Sequence, residues 1–221
     1  MAQTSSFQDQ AFEQIKSMIL RLELKPGERI NKNDLAASLD IGITPVREAL
    51  IRLQREDLLD IRPQSGTFVS KITLDEVYQA RFVRKTLEQV VVADASKITT
   101  TTQLKELRKI LGLQQVYLNS RDYDNFFDLD EQFHRSFYEI THKLYVWSWL
   151  QKVNIQYNRF RYLRLDVSPL DWKKIYQDHE QLTDAIAHQD SDYASKLIGR
   201  HLDMLDTDAE VVKKKFPEYF S

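Results

Sequence analysis

From Phe12 onward apolar side chains return at helical spacing, at Ile15, Ile19 and Leu22, and the pattern stops at Lys25-Pro26-Gly27, a strong breaker. A short helix is expected through Asp34 to Leu39, then a turn over Asp40 to Ile43. In the next run Val46, Leu50 and Leu53 repeat with the same period, to about Asp57. Thr44 reads as its N-cap, and Pro45 suits the first helical position. Two strand-like pieces, 58–61 and 67–69, flank Arg62-Pro63-Gln64-Ser65-Gly66, which has the chemistry of a hairpin tip. Three helices and a hairpin make residues 1–70 a winged helix-turn-helix.

The texture changes after Ser70. Thr73-Leu74-Asp75-Glu76 has the form of a capping box, and from there the chain reads as successive helices over 74–96, 101–119, 122–141, 144–165, 169–188 and 191–214. Ser168-Pro169 is suited to start one of them and Asp190 to cap the last. Short connections predict an antiparallel bundle over residues 71–221. The expected fold class is mainly α: an N-terminal winged helix-turn-helix followed by an antiparallel all-helical bundle.

Composition narrows the classes. Only 5 glycines and 5 prolines in 221 residues argue against an all-β chain, and zero cysteines excludes disulfides and thiolate metal sites. No apolar run is long enough to span a bilayer and no signal peptide is visible, so no membrane association is expected and the cytoplasm is the expected address. Residues 1–70 carry nine basic against ten acidic side chains, so any affinity for phosphates must come from local clustering and from dimerisation.

Three of the five histidines fall on inward helical stripes. Asp130, Phe133, His134 and Phe137 share one face; Ile175, His179, Leu182 and Ile186 form a second; Leu197, His201 and Met204 form a third. His142 and His188 sit near helix ends and read as solvated. Burying three imidazoles and a carboxylate is costly unless partners or a cation compensate. Asp130 and His134 are one turn apart, roughly 6 Å between β-carbons, and can aim at one point. Imidazole and carboxylate donors without thiolate suit Zn²⁺, with Ni²⁺ or Mn²⁺ as alternatives. The bland alternative is a set of hydrogen-bonded core histidines. Arg84 lies on the stripe Val77, Ala80, Arg84, Leu87, Val91; it either pairs with Glu88 or offers its fork to the carboxylate of a small anion. Tyr157 and Arg161 are further candidate contacts to that anion, against the plainer reading of a packed helix with snorkelling arginines.

The helix that begins near Thr44 leaves Arg47 one turn inside its N-terminus, free to reach a base edge or a phosphate, as a recognition helix requires. The candidate DNA contacts are Lys32, Asn33, Thr44, Pro45, Arg47, Arg52, Gln64 and Gly66.

Taken together, Leu24-Lys25-Pro26-Gly27-Glu28-Arg29, Thr44 to Leu50, the wing Arg62 to Val69, Arg84 to Glu88, Asp130 with His134, His179 and His201-Leu202 resemble the GntR-superfamily transcriptional regulators of the FadR subgroup, with an FCD-type effector domain. The resemblance runs from about Phe12 to His201; within the subgroup, Phe126 to His134 and the ending Tyr219-Phe220-Ser221 are similar to the RspR-like repressors. It implies a homodimer reading a palindromic operator on double-stranded DNA, and a divalent metal held by Asp130, His134, His179 and His201. It also implies a small organic acid effector, such as a sugar acid, that alters DNA affinity. Two positions depart from the pattern: Gly42-Ile43 replaces the usual Ser-Arg before Thr-Pro, and Asn33 stands where an arginine is common. Arg47 and the wing then carry more of the recognition. Two other readings are a metal-dependent hydrolase and a regulator that senses the ion itself. The first lacks an obvious general base and leaves the N-terminal module without a purpose.

Overall fold

The structure, a computed structural model, describes residues 6–167 and 172–221. Helix α1 (Phe7–Leu20) starts where the Ser6 hydroxyl accepts from the Asp9 N–H, and stops before Leu22, which turns left-handed at φ 59°. The two-residue strand β1 (Arg29–Ile30) leads into α2 (Lys32–Leu39), capped by the Asn31 side chain accepting from the Asn33 N–H at 3.0 Å. Helix α3 spans Ile43–Arg55.

Its start differs from the expectation. Gly42, not Thr44, holds the N-cap position, and no side chain caps it. Thr44 and Pro45 lie inside the first turn, and the first intrahelical bond runs from Val46 N to Gly42 O at 3.3 Å. A proline there costs no hydrogen bond, because the first four N–H groups of a helix have no intrahelical acceptor.

Strands β2 (Leu59–Arg62) and β3 (Gly66–Val69) pair antiparallel with Leu59 opposite Val69 and Arg62 opposite Gly66, and β1 adds to the other edge of β3. β1 was not anticipated, since two residues carry no alternation to read. Phe12, Ile15 and Ile19 of α1 pack on Val46, Leu50 and Leu53 of α3 and on Leu58 to make the core of this unit.

The second unit comprises α4 (Leu74–Ile98), α5 (Thr101–Ser120), α6 (Tyr123–Ile140), α7 (Leu144–Val153), α8 (Ile155–Leu165), α9 (Trp172–Ala187), α10 (Ser191–Leu202) and α11 (Met204–Lys215), then a 3-10 turn at Pro217–Tyr219. Two of the long helices expected from periodicity are each two helices. The span 144–165 breaks at Asn154, and 191–214 breaks at Asp203. Apolar residues keep their spacing across both breaks, from Leu150 through Val153 to Tyr157 and from Leu202 to Leu205, so the pattern alone does not reveal them. Neither side chain caps the helix that follows: both amide atoms of the buried Asn154 lack a partner, and the Asp203 carboxylate is taken by Arg81 and Lys85 of α4.

The capping box expected at Thr73 is absent: its hydroxyl meets the Ser221 hydroxyl at 3.1 Å instead. A reciprocal box is present at Thr100 and Gln103, at the start of α5. Asp190 does cap α10, accepting from the Tyr193 N–H at 3.0 Å. The expected start at Ser168-Pro169 lies outside the described residues. Among those residues no helix is long and apolar enough to cross a membrane.

The main core lies between α4, α5, α6, α9 and α10, around Val91, Leu107, Phe133, Phe137, Leu182 and Ile198. The joint between the units is held from several sides. Ile72 N–H donates to Tyr219 O at 2.8 Å and Ser221 N–H to Ile72 O at 3.1 Å, so the C-terminus pairs with the linker. The buried Arg159 of α8 donates to Ser70 O at 2.6 Å and to Ser70 Oγ at 3.1 Å. Ile155 enters the core of the winged unit, and Arg21 at the end of α1 grips Asp124 and Asp128 on the first turns of α6.

Candidate metal centre and nucleic-acid face

Asp130 and His134 project from one face of α6 because they are four residues apart on it; α9 brings His179 and α10 brings His201. One donor atom from each of the four lies within 4.8 Å of every other, and all four residues are buried. The imidazole centroids are 5.3 Å apart for His134 and His179, 5.4 Å for His134 and His201, and 4.9 Å for His179 and His201.

His201 Nδ1 faces Asp178 Oδ2 on α9 at 3.5 Å without a hydrogen bond. The other two rings are held from behind: His134 Nδ1 lies 2.6 Å from Glu88 Oε2 on α4, and His179 Nδ1 lies 3.0 Å from Gln114 Oε1 on α5. Partners of this kind fix the tautomer and turn the other nitrogen inward. His134 Nε2 comes within 3.8 Å of Asp130 Oδ2 and His179 Nε2 within 3.6 Å of Asp130 Oδ1, and both nitrogens are buried without a hydrogen-bond partner. Phe133 stacks on His179 at 4.2 Å and limits its rotation. Buried nitrogens without partners are uncommon in folded proteins, and here two of them face one carboxylate. This donor set fits a borderline divalent cation.

The charges behind the site form a ladder. Arg84 Nε donates to Glu88 at 2.6 Å and its Nη1 to Glu131 at 3.1 Å; Arg161 then joins Glu131 to Asp130. Burial pushes Glu88 up, but Arg84 and His134 outweigh it and hold its carboxyl at about 2, below the ordinary 4.5. Burial likewise opposes ionisation of Asp130, and Arg161, the largest opposing influence, holds it well below the usual carboxylate range. Burial, reinforced by the neighbouring imidazoles, pushes His179 and His201 below the usual imidazole value. Neutral rings keep their lone pairs for a cation.

Of the proposed anion contacts, Tyr157 and Arg161 line a cavity that also touches Asp130 and His201. The Tyr157 ring sits between the guanidiniums of Arg84 and Arg161, at 5.7 and 5.5 Å. Arg84 is not on that wall. It is engaged by Glu88 and Glu131, with Nη2 buried and unpartnered, so it acts through the ladder rather than as an open fork. Sequence reasoning missed Gln114, Glu131 and Asp178. Gln114 had a legible signal, as a polar residue continuing the stripe Leu107, Ile110, Leu111.

On the winged unit, Arg47 and Thr44 are exposed on α3, Lys32 and Asn33 are exposed on α2, and Pro45 is half-buried. Arg52 faces the other way. It donates to Asp9 at 2.7 Å and covers the Phe12 ring at 4.0 Å, because its side of α3 packs on α1. At the wing tip Gln64 is exposed with φ 61°, and Gly66 adopts φ 130°, a backbone that side chains rarely tolerate. A Cβ at Gly66 would meet Arg29 Nε at 2.9 Å, which places Arg29, the last residue of the Leu24 to Arg29 motif, beside the tip.

Comparison with known proteins agrees with this architecture. Residues 7–69 match the model of the bacterial regulatory proteins of the gntR family, and residues 76–204 match the FCD domain. The chain belongs to the GntR family of bacterial regulators and carries an FCD domain. It is 26% identical over 219 residues to the HTH-type transcriptional repressor RspR of Escherichia coli K12, an alignment covering 99% of this chain and 95% of that one. It is 32% identical over 209 residues to an HTH-type transcriptional regulator in an unstable DNA locus of Streptomyces ambofaciens, covering 94% and 86%. The solved structure of McbR/YncC from E. coli superposes with a TM-score of 0.80 at 21% identity, covering 96% of this chain and all of the other. The relatives are regulators of transcription rather than enzymes, and this chain is a transcriptional regulator.

Proposed function

We propose that the protein is a repressor whose affinity for a palindromic operator is set by a small carboxylate bound beside a divalent ion. Residues 1–70 form the DNA-reading part and residues 71–221 the effector and dimerisation part of a homodimer. The observation that carries the reading is the pair of buried, unpartnered imidazole nitrogens on His134 and His179 that face Asp130. Asp130, His134, His179 and His201 would hold the ion, Zn²⁺ in preference to Ni²⁺ or Mn²⁺. When bound it supplies a Lewis-acidic position for a carboxylate or hydroxyl oxygen of the effector.

The chain's own residues do the rest. Arg161 and Tyr157 orient the acid on the cavity wall, and Arg84 fixes Glu131 and Glu88 behind them. Glu88 and Gln114 keep the His134 and His179 imidazoles aimed inward, and the Asp178 carboxylate faces His201. On DNA, Arg47 at the start of α3 reads a base edge in the major groove, with Lys32, Asn33 and Thr44 beside it and the Gly66 wing near the minor groove. Coupling has a material route. α6 carries Asp130 and His134 as well as the carboxylates gripped by Arg21, and α8 carries Arg161 as well as the Arg159 that holds Ser70. An effector with different affinities for two arrangements of α6 and α8 therefore shifts the winged units.

The test uses full-length protein and a duplex selected by it from a random pool. Fluorescence anisotropy is read on metal-loaded protein, chelator-treated protein and His179→Ala, each with and without a panel of carboxylates. A shift in operator affinity of about fivefold or more, seen only with both metal and acid, is expected. A shift that persists in chelator and in His179→Ala would overturn the proposal, and a shift from the ion alone would make the ion the effector.

A further inference from the structure

The lining of the cavity beside the four donors is mixed. Asp130, His201, Tyr157, Arg161 and Arg164 are its polar members. The rest is apolar, mostly Phe126, Phe160, Leu165, Ile175, Leu202 and Leu205, from α6, α8, α9, α10 and α11, together with Met204. The space between these walls, counted to its open mouth, is ≈ 490 Å³.

We infer that the effector is a small monocarboxylic acid carrying a short alkyl or single-ring body, not a sugar acid; this rests on the carboxylate site proposed above. Acceptors are scarce in this cavity. Each hydroxyl of a polyol brings a hydrogen that must find an acceptor when it leaves water. Among the described side chains on this wall, acceptor oxygens occur only on Asp130, which Arg161 already engages, and on the Tyr157 hydroxyl. Arginine has no acceptor, and Arg164 further commits its Nε to Asp208. An apolar body meets the opposite situation, because Phe126, Phe160, Leu165, Ile175 and Leu202 are all nearly inaccessible to solvent and gain contact with every buried carbon. A buried methylene raises affinity about fourfold.

Charge favours a monoanion. The buried ladder Glu88, Arg84, Glu131, Arg161, Asp130 holds three carboxylates against two guanidiniums, a net charge of minus one. A divalent ion reverses that to plus one. A monoanion neutralises it, and a dianion overshoots in a site where uncompensated charge is costly.

The inference is tested on Zn²⁺-loaded full-length protein by calorimetric titration with three acids sharing a 2-hydroxycarboxylate head: 3-phenyllactate, gluconate and malate. 3-Phenyllactate is expected to bind at least tenfold more tightly than either of the others. Met204→Gln, a change of similar volume in the apolar lining, is expected to weaken 3-phenyllactate about threefold or more and to leave zinc binding unchanged. Gluconate or malate binding as tightly as 3-phenyllactate overturns the apolar-body assignment while the carboxylate site stands. No binding by any of the three acids, or equal binding after zinc is removed, overturns the carboxylate site and this inference with it.

Discussion

What a buried imidazole can do depends on the atom behind it. Glu88 is placed to set the electron density of His134, and Arg84 to keep Glu88 ionised inside the protein. Replacing Glu88 with Gln retains a hydrogen-bond acceptor and removes the charge, so divalent-metal affinity is expected to fall 10–100-fold in a competition titration; unchanged affinity would remove Glu88 from the site. The same carboxyl gives a pH signature. Its folded value of about 2 is below its ordinary 4.5, so the unfolded chain binds the proton more tightly. The stability it contributes is complete above pH 4.5 and is lost as pH falls from there toward 2. Denaturant midpoints of the wild type are expected to drop through that window more steeply than those of Glu88→Gln. At this scale the sequence was partly legible. Asp130, His134, His179 and His201 stood out because each interrupts an apolar stripe. Glu131 and Asp178 did not, because each lies next to a more conspicuous residue; Glu131 also meets its partners Arg84 and Arg161 on other helices.

Elements add what single residues cannot: α6 and α8 each have a foot in both units. Arg159 points away from the cavity that Arg161 lines, and its guanidinium satisfies the Ser70 carbonyl. Arg159→Met should keep most of the packing and orphan that carbonyl. A loss of about 1–3 kcal/mol in chemical unfolding is expected, with metal affinity intact. A smaller contribution would show that the linker is held by the Ile72–Phe220 pairing alone. In the wing, Gly66→Ala forces a Cβ onto a φ of 130° and against Arg29. A cost of about 1–3 kcal/mol is expected, read as earlier thermal unfolding. The winged unit was legible because helical period, Pro26-Gly27 and the Arg62–Gly66 tip all punctuate it. The breaks at Asn154 and Asp203 were not, because apolar spacing continues through each while the chain changes direction.

Across the whole molecule, recognition of DNA has little bulk charge to draw on, since the first 70 residues carry no basic excess. Arg47 therefore matters disproportionately. Arg47→Ala is expected to weaken operator binding about tenfold or more, since a bidentate arginine–guanine contact is worth about 1–3 kcal/mol. Arg52→Ala, which removes a contact to Asp9 and Phe12, is expected to act through stability instead. Metal-dependent control requires three helices to deliver their imidazoles to one ion. The direct measurement is elemental analysis with equilibrium dialysis on the wild type, His179→Ala and His142→Ala, the last being an exposed histidine. One divalent ion per chain is expected in the wild type and in His142→Ala, and none in His179→Ala. A wild type that takes up no stoichiometric ion from excess Zn²⁺, or a His179→Ala protein that binds it as tightly, would contradict the account.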